Sequence, residues 1–169
     1  MKKNVLLILA AVCSIGLSSC SKSNSSSSRY LKAKINGNWV TFSPALSELG
    51  PDLGDPSKID LGVTANNAAG TEIFDFTIQS DNQIGVGTYA SDDSRYYVVM
   101  DYMKNANTDP IDYGNYDVSS RPSSKFTITI TSITDNEIRG TFTGNYLSEY
   151  ATENVQEVTE GEFAAPRVR

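Results

Sequence analysis

The chain has 169 residues and no histidine, and its two cysteines, Cys13 and Cys20, both lie in the first twenty positions. This removes Ser-His-Asp and Cys-His catalysis, an imidazole base and histidine metal ligands. What remains for acid–base chemistry is carboxylates. Asp52, Asp55 and Asp60 flank one loop, Asp92 and Asp93 share a tight turn, and Asp109, Asp112 and Asp117 punctuate a long loop. A glycosidase needs two carboxyl groups about 5–5.5 or 6.5–9.5 Å apart across a cleft. Turns attract aspartate for another reason, bonding of the side chain to nearby backbone amides. We therefore read these residues as solvated turn residues and assign no catalytic residue.

Residues 109–117 offer oxygen ligands around Gly114, yet lack the Asp-x-Asp-x-Asn-Gly spacing and distal glutamate of a calcium hand. No metal ligand and no cofactor are assigned. Gly85-Val86-Gly87-Thr88 lacks the lysine and following helix of a phosphate loop, so a strand kink explains it better. Among the nine tyrosines, Tyr96 and Tyr102 fit an inward strand face. Tyr113 and Tyr116 fall in a 19-residue stretch, 104–122, where no core demands them. Tyrosine offers a flat apolar face and a hydroxyl, suited to stacking on a sugar or anchoring a protein. They are the candidate ligand-binding residues; the competing reading is that the loop folds back and their rings cover an open sheet edge.

The formal charge of −6, at a pI near 4.6, argues against a phosphate-binding surface and so against nucleic acid. Lys2 and Lys3 precede an apolar run over residues 5–17. A spanning helix needs about 20 apolar residues, whereas a secretory signal core runs to roughly 7–15. The run ends in Leu17-Ser18-Ser19-Cys20, which resembles the lipobox of bacterial lipoproteins. That resemblance implies cleavage before Cys20 and acylation of its thiol and new amine. Several acyl chains, at about 0.8 kcal/mol per buried methylene, make a permanent anchor. Without Lys2 and Lys3 the chain keeps 12 basic and 20 acidic residues, a net of −8.

Residues 21–29 (SKSNSSSSR) form a polar tether of about 15–18 Å end to end. Lipoproteins exported to the cell surface often carry acidic residues just after the cysteine. This tether has none, which leans toward the periplasmic face of the outer membrane.

From Tyr30 the apolar period is two. Leu31, Ala33 and Ile35 alternate with Tyr30, Lys32 and Lys34, and Asn36-Gly37 follows, the pair best suited to a type I′ hairpin turn. A two-residue loop sets Trp39 beside the stems of Lys34 and Lys32; a three-residue loop containing Asn38 sets it on the Ile35 face. Both registers stay open. Residues 43–57 are rich in turn formers and hold at most one helical turn, with Ser43 as N-cap, Pro44 at N1 and Gly50 as stop. Alternation resumes at Ile59, Leu61, Val63 and Ala65, then at Phe74, Phe76 and Ile78. Further strands cover 84–89, 95–103, 126–130, 138–146 and 156–163, and residues 116–118 fit a short edge strand.

The expectation is an all-β protein, an antiparallel β-sandwich or flattened barrel of about nine strands. Its organisation is a lipoprotein signal peptide (1–19), a lipidated cysteine with a serine-rich tether (20–29) and one domain (30–169).

Ile35-Asn36-Gly37-Asn38-Trp39, Gly87-Thr88-Tyr89, Gly140-Thr141-Phe142 and Gly161-Glu162-Phe163 occur in that order. Together with the lipobox they resemble small Bacteroidetes-type lipoproteins with a β-sandwich domain of unknown function. The resemblance carries over only Cys20. Each piece also has a structural meaning: a tight turn, or a glycine that lets a strand curve beside an aromatic entering the core.

The functional expectation is a lipid-anchored envelope protein, a non-catalytic binding or accessory module for a glycan, a peptide or an envelope protein. One alternative is a lipocalin-like barrel carrying a small apolar molecule, for which Gly85, Gly87, Gly140 and Gly144 would leave room. A carboxylate-dependent hydrolase is the other.

Overall fold

The computed structural model describes residues 29–103, 113–116, 125–147 and 155–168. The expected signal segment, Cys20, the tether up to residue 28 and the aspartates of the 104–122 stretch lie outside the described residues.

The described residues form eleven strands, two more than expected. They are β1 (Tyr30–Ile35), β2 (Asn38–Phe42), β3 (Ala45–Pro51), β4 (Ile59–Asn66), β5 (Ile73–Ser80), β6 (Gly87–Ala90), β7 (Tyr96–Met103), β8 (Tyr113–Tyr116), β9 (Lys125–Ile133), β10 (Glu137–Leu147) and β11 (Val155–Val168). Period-two patterning explains most of them. In β5, Phe74, Phe76 and Ile78 are buried and their neighbours are not. In β7 the buried positions are Val98, Met100 and Tyr102.

A first sheet runs β6-β9-β10-β11-β1-β2 and a second runs β3-β4-β5-β7-β8. They join where Arg167 and Val168 of β11 pair in parallel with Ser47 and Glu48 of β3; the other pairings among the described strands are antiparallel. The result is the expected flattened barrel, two sheets packed face to face.

The β1–β2 turn resolves the open register. Asn36 and Gly37 both have positive φ, 50° and 79°, as a type I′ turn requires. Ile35 pairs with Asn38, Lys34 with Trp39 and Leu31 with Phe42, so the loop has two residues.

The helical turn expected after Ser43 does not form. Residues 45–51 are instead β3, paired with β4 from Ala45↔Ala65 to Pro51↔Ile59. Its inward residues are small, Ala45 and Ser47, so the apolar alternation is faint in the sequence. Ser47 Oγ donates to the carbonyls of Ala165 (3.3 Å) and Pro166 (3.1 Å), which ties β3 to β11. Strand formation here follows from the neighbours rather than from propensity.

The interior is filled with rings. Phe42, Phe74, Phe76, Phe126, Phe142 and Phe163 contact one another or Tyr102 at centroid distances of 5.1–6.5 Å. Gly140 is the seat of one ring: a Cβ there would lie 2.7 Å from Phe163 and 2.3 Å from the Thr129 carbonyl. Gly144 and Gly161 seat Phe126 and Phe142 in the same manner. Two glycine–aromatic pairs from the recurring pieces, Gly140 with Phe163 and Gly161 with Phe142, therefore pack together. Gly140 and Gly144, where an open barrel would leave room, are occupied.

Candidate functional site

The outer face of the first sheet gathers polar chemistry around one indole. Alternation turns Tyr30, Lys32 and Lys34 of β1 outward, because Leu31, Ala33 and Ile35 are buried. The two-residue turn then sets Trp39 directly across from Lys34. Trp39 is 54% exposed, far more than an indole packed for stability alone. Lys34 Nζ lies 5.3 Å and Lys32 Nζ 5.6 Å from the indole centroid, within cation–π range. Both cations approach from β1, and among the described residues β2 pairs with no other strand. The indole therefore rests on two lysines and opens away from them.

β11 supplies the anionic half. Lys32 pairs with Glu162 and Lys34 with Glu160, each at 2.6 Å, and the Tyr30 hydroxyl donates to Glu162 (3.1 Å). A β-bulge makes this possible. The β1–β11 register shifts between Lys32 and Lys34, opposite Glu160, whose φ is 50°. The extra residue re-aims that side chain toward Lys34, as bulges do. The hydrogen bond to Glu162 raises the Lys32 pKa and lowers that of Glu162, so both stay ionised near neutrality. Burial, then the bond to Glu162, raises the Tyr30 hydroxyl, which keeps its proton.

Asn36 fixes the hairpin tip from the side. Its N–H donates to the Glu157 carbonyl (2.9 Å), its Oδ1 accepts from the Glu157 N–H (2.9 Å), and its Nδ2 donates to Gln156. The platform is thus held by three strands. What it offers is an aromatic face for stacking and a set of hydrogen-bonding groups.

Tyr113 and Tyr116 lie elsewhere. Their backbone forms β8, an edge of the second sheet, with Tyr113 opposite Met103 and Tyr116 opposite buried Met100. The edge strand anticipated at 116–118 is found slightly upstream, and the fold does not bring these tyrosines to the Trp39 face.

The carboxylates divide by location. Asp52 and Asp60 do come close enough to shift each other's ionisation. Asp52 also accepts from the amides of Gly54 (2.6 Å) and Asp55 (2.5 Å) and from Gln79 Nε2 (2.9 Å). The Asp55 amide, then Asp60, lowers its pKa, while burial, then Asp52, raises that of Asp60. Asp52 is thus engaged in holding its own turn. Asp93 closes its turn onto the Arg95 guanidinium, which holds it at about 2, and Asp92 pairs with Lys125 at 3.1 Å. Among the described residues, no three acidic side chains group to hold a metal ion.

Sequence reasoning overlooked Asp75. It stands opposite Asp101 across β5–β7, on the outer face of the second sheet, beside a depression of about 420 Å³ bordered by Leu46, Glu48, Gly62 and Thr77. Burial, then the Asp101 charge, pushes its carboxyl up to about 7. Glu160 and Glu162 were overlooked as well. Their only signal was alternation near the C-terminus, and the bulge that gathers them leaves no local mark.

Comparison with known protein families, characterised proteins and solved structures returns no match to this chain.

Proposed function

We propose that this protein is a non-catalytic binding or accessory module of the cell envelope, held on the outer membrane by acyl chains on Cys20. Its partner is a glycan, a peptide or an envelope protein, and Trp39 is the contact surface. The observation that carries this reading is the half-exposed indole fixed on two lysines that are themselves ion-paired. A large aromatic, immobilised and left open to water, gives contact area at little entropic cost on binding.

The direction of the chain supports the same reading. The tether enters at Arg29, whose carbonyl accepts from Ser43 Oγ (2.8 Å) and the Ala45 N–H (3.3 Å). β1 then runs six residues, about 20 Å at strand rise, to the turn beside Trp39. An anchor at Cys20 would hold the Arg29 end toward the membrane and present the indole at the far end. The periplasmic face remains the preferred side, because the tether lacks acidic residues. The ring-filled interior speaks against the lipocalin-like alternative, and the engagement of Asp52 with its own turn speaks against it as a glycosidase carboxylate.

The test is retention of solubilised envelope material on the immobilised full chain. Trp39→Ala is expected to lose most of the retained material while keeping the wild-type melting temperature; equal retention would overturn the role of the indole. In the same cells, Cys20→Ser should move the protein from the membrane to the soluble fraction, and a membrane-bound variant would overturn the anchor.

A further inference from the structure

Resting on that reading, we infer that the Trp39 platform takes a neutral pyranose unit of a glycan. Three features of the site select this chemistry.

The first is charge. Lys32 and Lys34 are balanced by Glu162 and Glu160, each at 2.6 Å, so the platform has no net charge although the chain is acidic. A cationic or anionic ligand would have to displace one of these contacts and would gain no net field in return. An anionic glycan also meets the repulsion of the whole molecule.

The second is the rim. Around the indole stand paired carboxylates with spare lone pairs, ammonium groups with spare protons, the Tyr30 hydroxyl, and the exposed side chain of Thr41. These are donors and acceptors in alternation, the complement of a ring of hydroxyl groups. Among the described residues, the side chains that share the outer face with Trp39 on β1 and β2 are Tyr30, Lys32, Lys34 and Thr41, a largely polar surround rather than an apolar groove.

The third is shape. The indole is half exposed, with the two lysines at 5.3 and 5.6 Å from its centroid. A pyranose matches it with an apolar C–H face and a polar edge, and a flat aromatic provides contact area for that face. Among the described residues β2 pairs with β1 alone, and an edge strand offers a side along which the next sugar of a chain can run.

Trp39 is the only tryptophan, so emission from the detergent-solubilised full chain reports this site alone. Hexasaccharides of glucose, mannose, xylose and galactose are titrated beside a galacturonate hexamer as the anionic control. At least one neutral hexasaccharide is expected to give a saturable emission change. Its affinity should shift less than about two-fold on raising salt to about 0.5 M, where screening is nearly complete. In native gels cast with the matching polysaccharide, Trp39→Ala is expected to lose retardation and Trp39→Phe to keep part of it. Silence toward every neutral sugar would overturn the inference, as would a salt-sensitive preference for galacturonate or full retardation of Trp39→Ala. If the sugars are silent while retention of envelope material still depends on Trp39, the ligand class falls and the platform stands. If both fail, both fall.

Discussion

Asp75 faces Asp101 across neighbouring strands with only a rung of the ladder between them, and its carboxyl titrates at about 7 instead of the ordinary 3.8. Between those values the folded protein holds a proton that the unfolded chain has released. Stability therefore falls as pH rises through this window, and the loss is complete above about 7. Three units at 1.36 kcal/mol each set an upper bound of about 4 kcal/mol, and rearrangement around the pair reduces it. Urea unfolding should show the wild type less stable at pH 8 than at pH 5, with Asp75→Asn removing most of the difference. Equal stability of the wild type at the two values would contradict this account. Asp93 acts in the opposite sense, because its carboxyl is held at about 2 by Arg95. Its contribution is lost only as pH falls below about 4, so the two windows do not overlap. The sequence shows Asp75 as the outward partner of Phe74 and Phe76, and an outward aspartate reads as solvated. What makes it unusual is burial first and the carboxylate opposite second, and the second depends on register across 26 residues of chain.

Among the elements, the central strands of the first sheet depend on glycine for their spacing. A methyl group at Gly140 would meet the backbone of β9 at 2.3 Å and the Phe163 ring at 2.7 Å, so both would have to move. Gly140→Ala is expected to cost about 3 kcal/mol by overpacking. Gly50→Ala, where nothing lies within 4 Å, should stay within about 0.5 kcal/mol. Chemical denaturation of the two variants checks this, and a mild effect at Gly140 would mean a looser core than described. Strands with large alternating residues, such as β5, β7 and β9, were legible at once because each carries its own pattern. β3 was not: Ala45 and Ser47 mark its inward face too weakly, and Pro44, Gly50 and Pro51 imitate a turn. The Trp39 face fell between these cases. Asn36-Gly37 announced the hairpin, but loop length was decided by the positive φ of both turn residues and by Asn36 binding Glu157.

For the molecule as a whole, the two ends differ. Arg29 and the turn around residues 134–136 lie at one end, where Tyr30 pairs with Ala164 and Arg167 donates to the Asn136 carbonyl. The Asn36-Gly37 turn and the start of β11 lie at the other. Two exposed large apolar residues, Trp39 and Val155, are at that second end, and it is the end that presents the indole. Fold class followed from period two and the lack of any helical period, whereas the meeting of β1, β2 and β11 joins residues more than 120 positions apart and could not be read in advance. Hydrogen exchange on the full chain, with and without the envelope material it retains, tests the central claim most directly. Slowed exchange confined to residues 36–42 and 155–162 is the result this account predicts. Slowed exchange confined to the second sheet, with those two segments unchanged, would contradict it.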